Sequence, residues 1–133
     1  MSKNVIPLPI KLFSGFVALF GLLFAFTSYA NPAQLSPMAD MTNPATRLAF
    51  YTVGATVIGL SLGLFLAIFS NRPKSMALML IVRTCVAVLD LLNALILGLG
   101  FGLALYQTII ILLGGASIFQ LFRIIQSSEK KTL

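Results

Sequence analysis

An all-α, four-helix transmembrane bundle is the fold the sequence predicts, and three observations predict it. Only 9% of the 133 residues are charged and 59% are hydrophobic, whereas a soluble domain carries about 25% charged residues. The apolar residues gather into four runs, each long enough to cross a bilayer, separated by proline, asparagine, glycine and basic residues. The strict alternation over about ten residues that marks membrane β-strands is missing. The length fits one small domain covering residues 1–133.

The first helix is expected over residues 12–29. It is uncharged, and about 18 residues at 1.5 Å each reach roughly 27 Å, just enough to span. The same segment admits a second reading. Lys3 and Lys11 precede it and Ser28-Tyr29-Ala30 ends it, which fits a cleavable signal peptide. Cleavage there would leave a three-helix chain starting at Asn31, although the apolar stretch is longer than in most such leaders. The link over residues 30–46 carries three Asx/Ser-Pro steps, at Pro32, Pro37 and Pro44, and reads as a short segment resting on the membrane surface.

The second helix is expected over residues 46–70, with Asn43 as its cap and Pro44 able to open it early. Asn71-Arg72-Pro73 makes a turn into the third helix, residues 76–97, which carries Arg83 and Asp90. Gly98, Gly100 and Gly102 form a loose link to the fourth helix, residues 101–123, and a solvated tail follows from Gln126 to Lys131. Short links make helices two, three and four antiparallel neighbours.

Basic residues set the expected orientation. Lys3, Lys11, Arg72, Lys74, Arg123, Lys130 and Lys131 fall on one side, and Arg47, with Asp40 nearby, on the other. By the positive-inside rule both termini are cytoplasmic, in a cell (inner) membrane. The net charge of +6 does not argue for nucleic acid, because the cations are scattered between apolar runs and form no patch.

The inventory excludes much chemistry. There is no histidine and a single cysteine, Cys85. Bis-histidine haem, histidine zinc sites, dithiol exchange and cysteine clusters are therefore out of reach of this chain alone. No nucleophile–base pair is visible, so the sequence offers no catalytic residue, no metal ligand set and no cofactor site.

Two features remain. Ala55, Gly59, Gly63 and Ala67 recur every four residues on helix two, and small residues let membrane helices approach closely. They form either a seam with another chain or a contact inside the bundle, for which Gly114-Gly115-Ala116, and less strongly Gly15 and Gly21, are partners. The second feature is polar. Arg83 and Asp90 lie seven residues apart on one face, and a charge at mid-bilayer costs on the order of 3 kcal/mol on insertion scales. Asn93 continues that face, and pairing across the turn sets Thr56 at the height of Asp90 and Gly63 at that of Arg83. The expected cluster is Arg47, Tyr51, Thr56, Arg83, Asp90 and Asn93, with Tyr106 and Gln107 added from helix four. It could hold a small polar ligand or relay protons through Asp90. The other reading is that it locks the bundle, with Arg83 neutralised by Asp90, through a bridging water or a polar group on another helix, or reaching to the headgroups.

In its layout the chain resembles small DoxX-like membrane proteins and related families of unknown function. Arg47, Tyr51, Gly54, Gly59, Gly63, Arg72, Asp90-Leu91 and Gly98 carry that resemblance, over about residues 44–100. It implies an accessory subunit of a membrane complex, in a few members a quinone-linked redox complex, and transfers no catalytic residue. Small multidrug exporters are similar in size, but they rely on an acidic residue in the first helix, which this chain lacks. The expected function is a non-catalytic accessory or structural subunit whose partners are the bilayer and other membrane subunits or a second copy. A small transporter or ligand-binding protein using the Arg/Asp cluster is the alternative.

Overall fold

The computed structural model describes residues 5–96 and 101–130. Four helices carry the fold: α1 Leu8–Ala30, α2 Pro44–Ser70, α3 Pro73–Ile96 and α4 Phe101–Glu129. One 3-10 turn, Pro32–Gln34, lies in the long first link. Each helix is long enough to cross a membrane, with mean hydropathy of 2.0 to 2.1 in its most apolar stretch. Met1, Lys3, Gly98, Gly100 and Lys131 lie outside the described residues.

The helix ends differ from the sequence reading for local reasons. α1 starts at Leu8 because Pro9 sits in the first turn, where its missing N–H is not needed. It therefore takes in Lys11. Asn43 caps α2, its side-chain oxygen accepting from the Ala45 amide at 2.9 Å, and Pro44 opens the helix. Asn71 ends α2 in the left-handed conformation, at φ 52°. Its side-chain oxygen also accepts from the Ile6 amide at 3.2 Å, which ties the N-terminal segment to the α2–α3 turn. Pro73 then opens α3 at once, so the turn is shorter than expected and α3 gains its first turn before Met76. α4 runs on through Glu129, so the tail expected from Gln126 is largely solvent-exposed but helical as far as Glu129, which pairs with Lys74 at 2.9 Å.

α1 packs along α2 and α3 along α4, and the two hairpins join chiefly through α2 and α3. The N-terminal segment, the α2–α3 turn and the end of α4 share one end of the bundle. Within the core, Val17, Ala18, Leu64, Ala67, Met76, Leu80, Ala87, Ile110 and Leu121 are buried. Many buried positions are small or hydroxylic, such as Ser14, Ala25, Ser28, Ser61, Ala94 and Ser117. Large apolar side chains, including Phe26, Leu66, Phe69 and Phe101, point outward. That distribution suits lipid, where an exposed leucine carries no penalty and helices associate through close backbone approach.

Glycine makes the closest approaches. A Cβ built at Gly21 of α1 would collide with Ser61 Oγ of α2, and one at Gly54 would lie 2.9 Å from the Tyr29 ring. On α4, Gly114 faces the Thr84 hydroxyl, and Gly63 on α2 faces the flexible end of Met79. In the first link, Asp40 accepts from the Thr42 hydroxyl and from its amide, which hold the carboxyl below its usual pKa.

Candidate functional site, an intramembrane polar cavity

The inward face of α3 is where the charged residues gather. Seven residues of α-helix bring Asp90 back to within about 20° of Arg83, about two turns along the axis. Both side chains line a cavity of about 30 Å³, together with Val17 and Gly21 of α1, Val57, Leu60, Ser61 and Leu64 of α2, and Val86. Gly21 allows α1 to come this close, and the small Ser61 leaves the space above it. α4 enters through Gln107, which is only 5% exposed and donates from Nε2 to Asp90 Oδ2 at 3.2 Å.

Arg83 and Asp90 share the cavity without forming an ion pair. Among the described residues, Lys74–Glu129 is the only one. Among the described residues, three buried polar atoms of α3 and α4 find no hydrogen-bond partner, Arg83 Nη1, Thr84 Oγ1 and Gln107 Oε1, and of these only Arg83 lines the cavity. Such atoms are uncommon in folded proteins, since an unsatisfied buried donor or acceptor costs about 1–3 kcal/mol.

The expected six-residue cluster divides into separate groups. Arg83 and Asp90 are brought together. Arg47 and Tyr51 lie at the opposite end of α2 from the basic turn and form a surface group of their own. There Arg47 Nη2 donates to Tyr51 Oη at 3.1 Å, Tyr29 Oη donates to the Tyr51 carbonyl at 3.0 Å, and the two tyrosine rings stack at 5.1 Å. Thr56 is exposed and turns its hydroxyl back to the Thr52 carbonyl at 2.9 Å. Asn93 is exposed as well, because three further residues carry it about 60° past Asp90.

The early start of α3 explains the axial difference. The shorter turn moves α3 by about one helical turn against α2. Gly63 therefore meets Met79, and Ser61 and Leu64, not Thr56, share the cavity with the charged pair. Ser61 and Thr84 escaped the sequence reading, since a lone hydroxyl residue in an apolar run gives no signal of which way it faces. Tyr106, expected beside Gln107, is half-buried and packs on Phe20 of α1 with ring centroids 6.3 Å apart.

The small-residue stripe also divides. Each four-residue step advances about 40° around a helix, so three steps turn the stripe through about 120°. Ala67 is buried and Gly63 half-buried, whereas Ala55 and Gly59 are exposed, with open space where a Gly59 side chain would stand. Cys85 is exposed on α3, and among the described residues no group of three or more His, Cys, Asp or Glu could hold a metal ion.

Four antiparallel apolar helices around a small polar centre define a multi-pass α-helical membrane protein. No family model, no curated protein and no solved structure matches the chain.

Proposed function

We propose that this protein is a non-catalytic accessory or structural subunit of a membrane complex, and that it docks through the outward face of α2. The observation that carries this reading is the surface of Thr52, Ala55, Thr56 and Gly59. These residues recur at helical spacing, all are exposed, and their own bundle makes no use of Gly59. Such a smooth strip gains little from lipid, and it permits a second transmembrane helix to approach closely. The reading includes a cell (inner) membrane location with both termini cytoplasmic. Arg72, Lys74, Arg123 and Lys130 support it by lying towards the end of the bundle that holds the α2–α3 turn, with Arg47 at the far end. The DoxX-like resemblance over residues 44–100 points the same way.

Gly59→Leu tests the docking face. In detergent the isolated variant is expected to unfold within about 0.5 kcal/mol of the parent, as an outward substitution should. In native-lipid extracts it is expected to lose the partner, or the second copy, that purifies with the parent chain. A parent chain that runs alone as a monomer in native lipid would sink the reading.

The shared cavity of Arg83 and Asp90 favours a second reading, a small transporter or ligand-binding protein. Its volume matches a water molecule or two and falls far below the roughly 300 Å³ of the smallest ordinary ligand pockets. Transport would thus require the hairpins to part. Under this reading Asp90→Asn abolishes proton-coupled uptake at normal folded yield. Under the subunit reading the same variant lowers folded yield, because the charge holds the bundle together.

A further inference from the structure

The cavity at the junction of α1, α2 and α3 is a built site on three counts. It has room, since a buried water needs about 10–15 Å³ of such space and the cavity offers about 30 Å³. It has a donor in need of an acceptor, because Arg83 Nη1 is buried with no partner among the described residues. It has acceptors in reserve, because a carboxylate offers about four lone-pair sites and Gln107 occupies one at Oδ2 of Asp90. The Ser61 hydroxyl completes the polar lining, and Val17, Val57, Leu60, Leu64 and Val86 form the apolar walls.

We infer that this cavity is a structural water site, in which about two water molecules bridge the Arg83 guanidinium to the Asp90 carboxylate in the middle of the bundle. The chemistry selects water over a larger guest. The volume excludes organic molecules, and the opposite charges of Arg83 and Asp90 leave no net charge for a lone ion to balance. A buried water makes two to four hydrogen bonds to groups that would otherwise lack partners, which is what the guanidinium, the carboxylate and the Ser61 hydroxyl supply. The bridge also accounts for a pair that shares a cavity without touching. Close ion pairing would demand a strained reach along the helix, and water spans the remaining distance at little enthalpic loss. The inference concerns the inside of the bundle and does not depend on the docking face of α2.

Radiolytic hydroxyl labelling of the full chain in lipid nanodiscs tests it, because radicals formed from an ordered internal water modify the side chains beside it. Leu64 and Leu80 make a matched pair: each is 1% exposed, and only Leu64 lines the cavity. Leu64 is expected to be labelled several-fold faster than Leu80. In the apolar double variant Arg83→Met/Asp90→Leu its rate is expected to fall to that of Leu80. Equal labelling of the two leucines in the parent chain overturns the inference, and so does a Leu64 rate that the double variant leaves unchanged. If the double variant yields too little folded protein, the comparison within the parent chain decides alone.

Discussion

Arg83→Met or Asp90→Leu alone is expected to destabilise the bundle by on the order of 3 kcal/mol, and the two together by much less. Removing one member of a buried pair leaves the other charge uncompensated, which costs about 3–5 kcal/mol in proteins generally. Insertion scales give a similar figure, about 2.5–3.5 kcal/mol, for a lone charge at mid-bilayer. Replacing both with apolar side chains removes the penalty together with the interaction, and such swaps are often neutral or better. The two single variants should not be equal. Asp90 also accepts from Gln107 at 3.2 Å, so Asp90→Leu strands the buried Gln107 amide in addition to Arg83. Asp90→Leu is therefore expected to be the worse by about 1 kcal/mol, within the range for interhelical hydrogen bonds in membranes. Denaturant titration of the four proteins in micelles gives the double-mutant cycle. Strictly additive losses would mean that the two charges act independently, and the polar lock would be lost as an explanation.

How far such a site can be read from sequence depends on which physical signal places each residue. The helices were legible because lipid imposes length and apolarity on every span, and those properties are local. The pairing of Arg83 with Asp90 on one face was legible too, because helical periodicity fixes relative direction over seven residues. Thr56 and Asn93 strayed from the group for two different reasons. Asn93 lies far enough along α3 for the mismatch between sequence spacing and 3.6 residues per turn to carry it outward. Thr56 belongs to another helix, and its height depended on where α3 begins. Pro73 read as part of the turn is, in the structure, the first residue of the helix. That difference of a few residues shifted the α2–α3 register by a turn, and with it every contact proposed across the seam. Ser61 became visible only through its partner, since nothing in its own run distinguishes a hydroxyl facing a cavity from one facing lipid. Gln107 stood out as an amide in an apolar run, but its bond to Asp90 required the α3–α4 hairpin to be closed. The small-residue stripe shows the same limit. A spacing of four looks like one face over two residues, and it has turned to another by Ala67.

Glycine substitutions on α1 and α2 should separate inward from outward surfaces by the size of their effect. Gly21→Ala is expected to destabilise the isolated bundle by about 1–3 kcal/mol, the usual range for overpacking a filled interior. Its new Cβ would meet Ser61 Oγ, with Val57 Cγ1 at 3.2 Å on the other side, and both belong to the helix that α1 must lie against. Gly54→Ala should act similarly, because the Tyr29 ring and Ser28 Cβ stand 2.9 and 3.2 Å from the added carbon. Gly63→Ala should be milder, since the obstacle is the end of Met79, a side chain with three rotatable bonds that can swing aside. Ser61→Ala provides the specific rescue. It deletes the oxygen that Gly21→Ala strikes, while Ser61 Cβ already sits 3.8 Å away at ordinary contact distance. The Gly21→Ala/Ser61→Ala pair is therefore expected to recover most of the loss caused by Gly21→Ala alone. Thermal unfolding in detergent, followed by circular dichroism, would rank the series. The decisive comparison is with Gly59→Leu, which adds far more volume at a position with nothing within 4 Å. If that larger change proved as damaging to the isolated chain as Gly21→Ala, the division of α2 into an inner seam and an outer docking face would fail.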